Sequence, residues 1–244
     1  SGKPMSRGAR ARAIAESLPK PRAVLVVSAH WETSLPMLSG GERPETIHDF
    51  SGFPPALYQL KYPAPGSPAL AQQVAGLLKT AGHVPAVNGC RGLDHGAWVP
   101  LRWMYPAHDV PVVQLSIQPS LGTEHHWRLG EALSSLADDG VLVIGSGHVT
   151  HNLRDWSMHR HETSSLDYVV RFADWLHRRL DSGDRDAVLD YRSRAPSAAR
   201  AHPTEEHLLP LFVAWGAGGI ERPVTRAFSA VEGAALAMDA YLFG

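Results

Sequence analysis

A buried strand that ends at a histidine constrains the fold more than any other part of this sequence. Residues 24–27 are four consecutive aliphatic residues, and Ser28-Ala29-His30-Trp31 follows them. An apolar run without polar alternation is typical of a strand covered on both faces, as in a parallel sheet flanked by helices. Ligands of open α/β sheets bind beyond the carboxyl ends of such strands. The run predicts an α/β fold with a mostly parallel central sheet, and His30 becomes the first candidate for chemistry. The alternative is a loop histidine packed on Trp31.

The remaining sequence alternates predicted strands and helices. Apolar runs predict buried strands at residues 110–117 and 141–144, a weak strand at 84–87, and edge strands at 224–228 and 235–243. Helical spacing and capping signals predict helices at residues 9–18, 69–79, 99–104, 123–136 and 164–181, and one begun by Thr204 with Glu206 and His207 in its first turn. Residues 34–68, rich in Pro and Gly, predict a long structured loop of a kind that is usually functional. Without repeats or linkers, residues 1–244 are expected to form a single domain.

Composition narrows the class of partner. A formal charge of -1 gives no electrostatic reason to expect nucleic acid or an anionic membrane surface. The sequence has no run of 18 apolar residues and no apolar signal core near its start, so we expect no membrane span and a cytoplasmic location. The single cysteine, Cys90, excludes an intrachain disulfide and a cysteine-rich zinc site. A metal would therefore have to be held by histidine and carboxylate.

Fourteen histidines in 244 residues are the one compositional anomaly that bears on function. Surface solvation is the expected explanation for half of them: His83, His108, His125, His126, His159, His161 and His177. The other half lie in loops or helix starts beside Gly, Pro or a carboxylate: His30, His48, His95, His148, His151, His202 and His207. Imidazole suits divalent iron, zinc and copper, and a catalytic metal keeps a coordination position open. Histidines that converge from several strand ends predict a metal site at the carboxyl ends of the sheet.

Seven short motifs follow one another in an order that resembles a known family. They are Ser-Ala-His-Trp (28–31), Thr-Ile-His-Asp-Phe-Ser-Gly-Phe-Pro (46–54), Tyr-Pro-Ala-Pro-Gly (62–66), Asp-His-Gly (94–96), Val-Val-Gln-Leu-Ser (112–116), His-Asn-Leu (151–153) and Pro-Thr-Glu-Glu-His (203–207). Together they resemble the class III extradiol ring-cleavage dioxygenases, nearest to the DOPA 4,5-dioxygenase branch. The resemblance implies a non-haem enzyme with Fe(II), or Zn(II) in the same site. Such an enzyme opens a catechol, a small aromatic diol, with O2 to give a muconic semialdehyde.

The resemblance also implies roles for individual histidines. His30 and His207 would be metal ligands. His151 would line the same site, either as a further ligand or as the catalytic acid/base group that takes a catechol proton. His95 is the alternative for that catalytic role. A neutral histidine is suited to it because its ordinary pKa lies near the operating pH.

Other residues of these motifs would bind substrate or support the ligands. His95 would lie in the substrate pocket and His48 near its rim, and Trp31 is a candidate for stacking on the substrate. Core packing is the alternative for Trp31. Asp49 and Glu206 would orient the ligands, with a helix-start carboxylate as the alternative for Glu206.

The chain departs from the family at its start. Family members begin with a short strand that ends in His-Gly-Ser-Pro or a close variant, whose histidine is a further ligand, and this sequence has no such motif. Residues 1–4, Ser-Gly-Lys-Pro, would be its remnant. We expect that the natural start is absent or altered here, because a lost first strand would leave a hole at the centre of the sheet. The alternative is a protein that has lost a ligand and its metal.

Two other functions stay open from the sequence. A histidine-rich zinc site would serve a metal-dependent hydrolase equally well, and oxygen dependence separates the two. A metal-free interaction protein of the same fold is the second, although it would have no chemical need for His30, His95, His151 and His207. The ring substituent is undetermined, and so is association into a homo-oligomer, for which long loops give only a general reason.

Overall fold

The predicted buried strand is an inner strand of a five-stranded sheet. In the computed structural model, which describes residues 5–244, β1 (Ala23–Glu32) pairs in parallel with β4 (Val112–Ile117) and with β5 (Val141–Ser146). Strand β2 (Met37–Ser39) pairs antiparallel with β4 and parallel with β3 (Ala86–Asn88). The strand order is β3-β2-β4-β1-β5. The predicted α/β fold with a mostly parallel sheet is confirmed.

Three helices accompany this sheet: α1 (Arg7–Ser17), α2 (Pro68–Thr80) and α3 (His95–Met104). Helix α2 begins as predicted, with Pro68 in its first turn and the Ser67 hydroxyl accepting a hydrogen bond from the Leu70 amide (3.1 Å). Helix α3 packs on β1, and α2 packs on β2 and β3. Sheet and helices form the first of two compact units, which comprises the chain up to Gln118 together with Ser135–Ser146.

The second unit comprises Pro119–Ser134 and Gly147–Gly244. Its helices are α4 (Gly122–Ala132), α5 (Leu153–His159), α6 (Asp167–Asp181), α7 (Arg185–Leu189), α8 (Tyr191–Arg194), α9 (Ala198–Ala201) and α10 (Leu209–Gly218). Two small antiparallel sheets pair β6 (Val224–Phe228) with β9 (Ala240–Phe243) and β7 (Val231–Glu232) with β8 (Leu236–Ala237). Helices α4 and α10 cross at glycines: a Cβ on Gly130 would lie 2.2 Å from the Val213 carbonyl oxygen, so only glycine allows this approach.

The end of β1 corrects one prediction. His30 was expected in a loop, but the strand runs on to Glu32 with a shifted register against β4. Burial alternates over these last residues: Ala29 and Trp31 are buried, whereas His30 and Glu32 are exposed. Successive strand side chains point to opposite faces, so His30 and Trp31 lie on opposite faces of the sheet.

Three other predicted elements are wrong in detail. The predicted loop 34–68 contains strand β2. Thr123 does not cap α4, which begins at Gly122, and its hydroxyl donates instead to the Leu189 carbonyl (2.7 Å). The last two strands are not edges of the central sheet, because β6 and β9 pair with each other in the second unit.

The helix predicted from Thr204 begins later. Residues 203–208 form turns, and α10 starts at Leu209 with Pro210 in its first turn. Proline favours the first turn of a helix, which explains the later start. The Thr204 hydroxyl donates to Glu206 Oε1 (3.0 Å), so Glu206 and His207 lie in the turn before the helix.

The sheet has no hole at its centre among the residues that the structure describes, because β1 is bonded on both sides. The expectation that the natural start is absent or altered stays a prediction. The proposed remnant, residues 1–4, lies outside the described residues. The structure forms two compact units, and a single domain over residues 1–244 stays a prediction. Within residues 5–244, no helix is both long and apolar enough to span a membrane.

Candidate metal centre

Each unit brings three potential metal ligands together. In the first unit, ligand atoms of His30, Asp49 and His95 lie within 4.8 Å of one another, a group that we call the His30 cluster. His30 stands near the end of β1, His95 is the first residue of α3, and Asp49 belongs to the loop before α2. The rings of His30 and His95 are 3.9 Å apart between centroids and tilted by 41°. The fold therefore places a strand end, a helix start and the long loop at one point.

Asp49 holds His95 at two points. Its Oδ1 accepts a hydrogen bond from the His95 backbone amide (2.8 Å), and its Oδ2 lies 2.9 Å from His95 Nδ1. The Oδ2–Nδ1 contact has a short distance but lacks the geometry of a hydrogen bond. Burial raises the pKa of Asp49, but the bonds and charge of His95 outweigh it and lower that pKa to about 2. Asp49 thus lies against His95, whereas the prediction that it orients a metal ligand stays a prediction.

Aromatic residues surround His95 and the predicted rim residue His48. The Phe50 ring lies edge-on to His95 (5.7 Å between centroids) and contacts Tyr58 (5.1 Å). His48 Nε2 lies 2.7 Å from the Leu60 carbonyl oxygen, which occupies that nitrogen. Phe53 continues this aromatic group and is 54% exposed. The loop 46–60 therefore presents ring faces and edges beside His95.

Trp31 differs from these residues. Its ring is only 6% exposed, and the Arg91 guanidinium lies 4.9 Å from its centroid. Since it also faces away from His30 along the strand, core packing accounts for it, as the alternative reading had it. Its role in substrate binding stays a prediction without support from these contacts.

In the second unit, ligand atoms of His148, His151 and His207 lie within 4.8 Å of one another, and we call this group the His207 cluster. The rings of His151 and His207 are stacked, 3.4 Å apart between centroids with an angle of 8°. His148 stacks less closely, at 5.1 Å from His151 and 5.6 Å from His207. Three nearly parallel imidazoles thus form this cluster.

Backbone contacts fix the His207 cluster. The His148 amide donates to the His207 carbonyl (2.8 Å), and the His151 amide donates to the Ala201 carbonyl (2.8 Å). A Cβ on Gly147 would lie 2.0 Å from the His207 carbonyl oxygen, so the loop after β5 can approach His207 only through a glycine. Glu206 Oε1 lies 3.2 Å from His207 Nδ1, which is the orienting contact predicted for it.

Sequence reasoning missed His148 as a candidate ligand. The sequence places His148 among the seven histidines in loops or helix starts, but the predicted ligand set does not include it. The signal that could have found it is the same as for His30: a buried strand followed at once by small residues and a histidine.

Two other histidines proved to be structural. His202 and His126 are both fully buried. His202 Nε2 lies 2.7 Å from the Val149 carbonyl oxygen and His126 Nδ1 lies 2.6 Å from that of Gly122. The expectation that surface solvation explains His126 is wrong, because its ring packs inside the second unit.

The predicted ligands are divided between the units. His151 and His207 come together in the His207 cluster, whereas His30 and the predicted catalytic alternative His95 come together in the His30 cluster. Each cluster contains donor types that Fe(II) and Zn(II) accept: three imidazoles in one, and two imidazoles with a carboxylate in the other. The ligand set His30, His151 and His207 stays a prediction.

Comparisons with known proteins agree with the chemistry of these clusters. The family model described as the catalytic LigB subunit of aromatic ring-opening dioxygenase matches residues 7–234. The chain is 43% identical to 4,5-DOPA dioxygenase extradiol of Beta vulgaris over 225 residues. This aligned region covers 92% of this chain and 83% of that protein. Identity to the Escherichia coli (strain K12) protein of the same name is 39% over 225 residues, or 91% of this chain and 82% of that protein. A crystal structure of an uncharacterized Escherichia coli K12 protein superposes with a TM-score of 0.83 at 30% identity, covering 100% of this chain and 95% of that one.

Proposed function

The chain belongs to the LigB family of aromatic ring-opening dioxygenases and is an extradiol dioxygenase, and from this premise we propose that it opens a catechol with O2 to a muconic semialdehyde. The names of its relatives make DOPA the first catechol to test. The observation that carries the proposal is the convergence of His148, His151 and His207 within 4.8 Å. The reaction needs both a metal ligand and an acid/base group, and an imidazole can serve as either.

We propose Fe(II) as the metal, with Zn(II) as the alternative occupant. His207 and His30 would be its ligands. The bound metal would act as a Lewis acid toward the catechol oxygens and, as Fe(II), would allow reaction with O2. Glu206 and Asp49 would orient the imidazoles through the contacts at 3.2 Å and 2.9 Å.

The stacking in the His207 cluster supports the acid/base role of His151. An imidazole binds a metal in its own ring plane, about 2 Å from the nitrogen. Since His151 and His207 are stacked with an angle of 8°, one ion cannot lie in both ring planes. The family resemblance implies that His207 is a ligand, so we propose His207 for the metal. A ring nitrogen of His151 would then take the proton from a catechol hydroxyl and later return it.

His95 and its aromatic neighbours would bind the ring of the substrate. Phe50 and Tyr58 offer the edge and face contacts that aromatic rings prefer, and the exposed Phe53 is accessible from solvent. His95 stays the alternative acid/base group, because Asp49 lies against its Nδ1 and leaves Nε2 to face a substrate. His48 belongs to the rim, with its Nε2 already bonded to the chain.

Oxygen uptake tests the proposed function. The chain is reconstituted with Fe(II) without air and mixed with DOPA and a panel of other catechols. We expect oxygen uptake with a yellow semialdehyde product. His30→Ala and His207→Ala should each lower turnover by more than about 100-fold, since loss of a mere neighbour of a ligand already costs ~10–100-fold.

His161→Ala is the matched control, because His161 is exposed and belongs to neither cluster. It should leave uptake and bound iron unchanged. A folded protein that holds stoichiometric iron and consumes no oxygen with any catechol would contradict the proposed substrate class. His30→Ala and His207→Ala should also each lower the bound iron, measured on the same preparations.

A further inference from the structure

The carboxylate of Asp94 is bonded to both segments that carry the histidines of the His30 cluster. Asp94 is fully buried and caps α3: its Oδ1 accepts from the Gly96 amide (3.0 Å), which fixes the turn that carries His95. The same Oδ1 accepts from the Ser28 hydroxyl on β1 (2.6 Å), and Ser28 Oγ accepts from the His30 amide (3.2 Å). One oxygen atom therefore connects the backbone of His30 to the helix start of His95.

The other oxygen of Asp94 anchors this connection to the sheet. Its Oδ2 accepts from Gln114 Nε2 (2.9 Å) and from the Arg91 guanidinium (3.0 Å). The Asp94 amide donates back to Gln114 Oε1 (3.0 Å), and the Gln114 amide donates to Ser39 Oγ on β2 (2.8 Å). An ionised carboxylate has about four acceptor positions, and four donors fill those of Asp94. The network is thus saturated and extends over strands β1, β2 and β4.

Gly96 shows how closely the two histidine segments are pressed together. A Cβ at this position would lie 2.3 Å from Ser28 Oγ and 3.1 Å from His30 Cδ2. The start of α3 therefore rests directly on the end of β1. A small shift of the helix start would change the 3.9 Å separation of the His30 and His95 rings.

We propose that Asp94 is a positioning residue that sets the relative placement of the His30 and His95 rings. It acts through Ser28 on one side and through the helix start on the other. The inference rests on the proposed function, in which these two rings serve the metal and the substrate. Replacing the carboxylate by an amide puts an N–H donor where only donors approach, so the network must rearrange.

Three variants of the full chain test this role: Asp94→Asn, Gln114→Glu and the two combined. In the combined variant, the new amide at position 94 can donate to the new carboxylate at position 114, while its oxygen still accepts from Ser28 and Gly96. We expect Asp94→Asn to shift the imidazole NMR signals of His30 and His95 in the metal-free chain. It should also lower kcat per folded, iron-loaded molecule by ~10–100-fold, and the combined variant should recover both properties.

Asp184→Asn is the matched control, because Asp184 caps α7 by accepting from the Ala187 amide (3.3 Å) and touches neither cluster. It should change neither readout. If Asp94→Asn does not fold, Ser28→Ala removes only the connection to His30 and should shift the His30 signals. Unchanged imidazole signals and kcat in the folded variant, or no recovery in the combined variant, would overturn the inference. A wild-type chain that opens no catechol would instead refute the proposed function, while the metal-free NMR signals still decide the positioning role.

Discussion

The two histidine clusters are fixed by different kinds of contact. In the His30 cluster, carboxylates hold the rings: Asp49 lies against His95, and Asp94 bonds to the segments of both histidines. In the His207 cluster, the rings stack on one another, and backbone amides and carbonyls fix the chain around them. Side-chain charge therefore sets the geometry of the first cluster, whereas close backbone approach sets that of the second.

Because the contacts differ, the geometry of each cluster should be sensitive to a different kind of substitution. A cluster held by a saturated carboxylate should respond to the loss of one charge or acceptor. A cluster held by backbone contacts should respond to any added atom that pushes its loops apart. Because parallel rings cannot all face one ion, we expect the stacked imidazoles to have different roles in the reaction.

The largest expected effect is that of His151→Ala. Loss of an acid/base group should lower kcat by roughly 100- to 10,000-fold. Bound iron should stay, because the proposed function makes His207 the metal ligand and His151 the acid/base group. Turnover and metal content, measured on the same preparation, check this. Loss of iron together with activity would make His151 a ligand and remove the division of roles within the His207 cluster.

Lowering the pH should destabilise the two units in different pH ranges. Burial lowers the pKa of His126 in the second unit from 6.5 to about 4, against the raising effect of the Gly122 carbonyl. The unfolded chain therefore binds more protons between these values, so this stabilisation is complete above pH 6.5 and is lost as pH falls to about 4. The free energy of unfolding that His126 contributes in this way is roughly 3 kcal/mol. For Asp49, whose pKa falls from 3.8 to about 2, stabilisation is present above pH 3.8 and is lost as pH falls through about 2.

Urea unfolding between pH 7 and pH 2 measures both steps. His126→Leu should remove part of the step between pH 6.5 and 4, and the rest belongs to His202, whose pKa burial lowers to about 4 as well. Asp49→Asn should leave that step and weaken the one at lower pH. An unchanged upper step in His126→Leu would show that a different group carries the acid sensitivity.

The smallest expected effect is that of Gly147→Ala, which tests whether close backbone approach positions the His207 cluster. Gly147→Ala should displace the His207 backbone, since the added Cβ would lie 2.0 Å from its carbonyl oxygen. Misplacement by about 1 Å costs up to ~100-fold in rate, so we expect a 10- to 100-fold lower kcat. Gly76→Ala is the control, because its Cβ meets nothing within 4 Å in helix α2. Equal kcat in both variants would mean that the close approach at Gly147 does not position His207.

Local patterns predicted much of the fold. The apolar run at residues 24–27, the Ser67-Pro68 start of α2 and the buried strand before Ile117 all lie where the sequence placed them. Predictions failed where a distant contact decides. Thr123 looks like a cap but donates to Leu189, and His126 looks like a surface residue but is fully buried. Leu189 is 66 residues from Thr123, and the burial of His126 depends on the packing of the second unit, so neither outcome leaves a local signal in the sequence.

The sequence by itself determined the chemistry of the site: which residue types end the strands, and which motifs follow one another. It singled out His30 by the strand that precedes it, and it pointed to His95, His151 and His207 through motifs that resemble those of a known family. Only the tertiary structure decided how they are grouped, why His148 joins His151 and His207, and how Asp94 connects His30 to His95. The physical reason is that ring stacking, backbone approach and buried hydrogen bonds depend on distances between segments far apart in the chain, which no periodicity encodes.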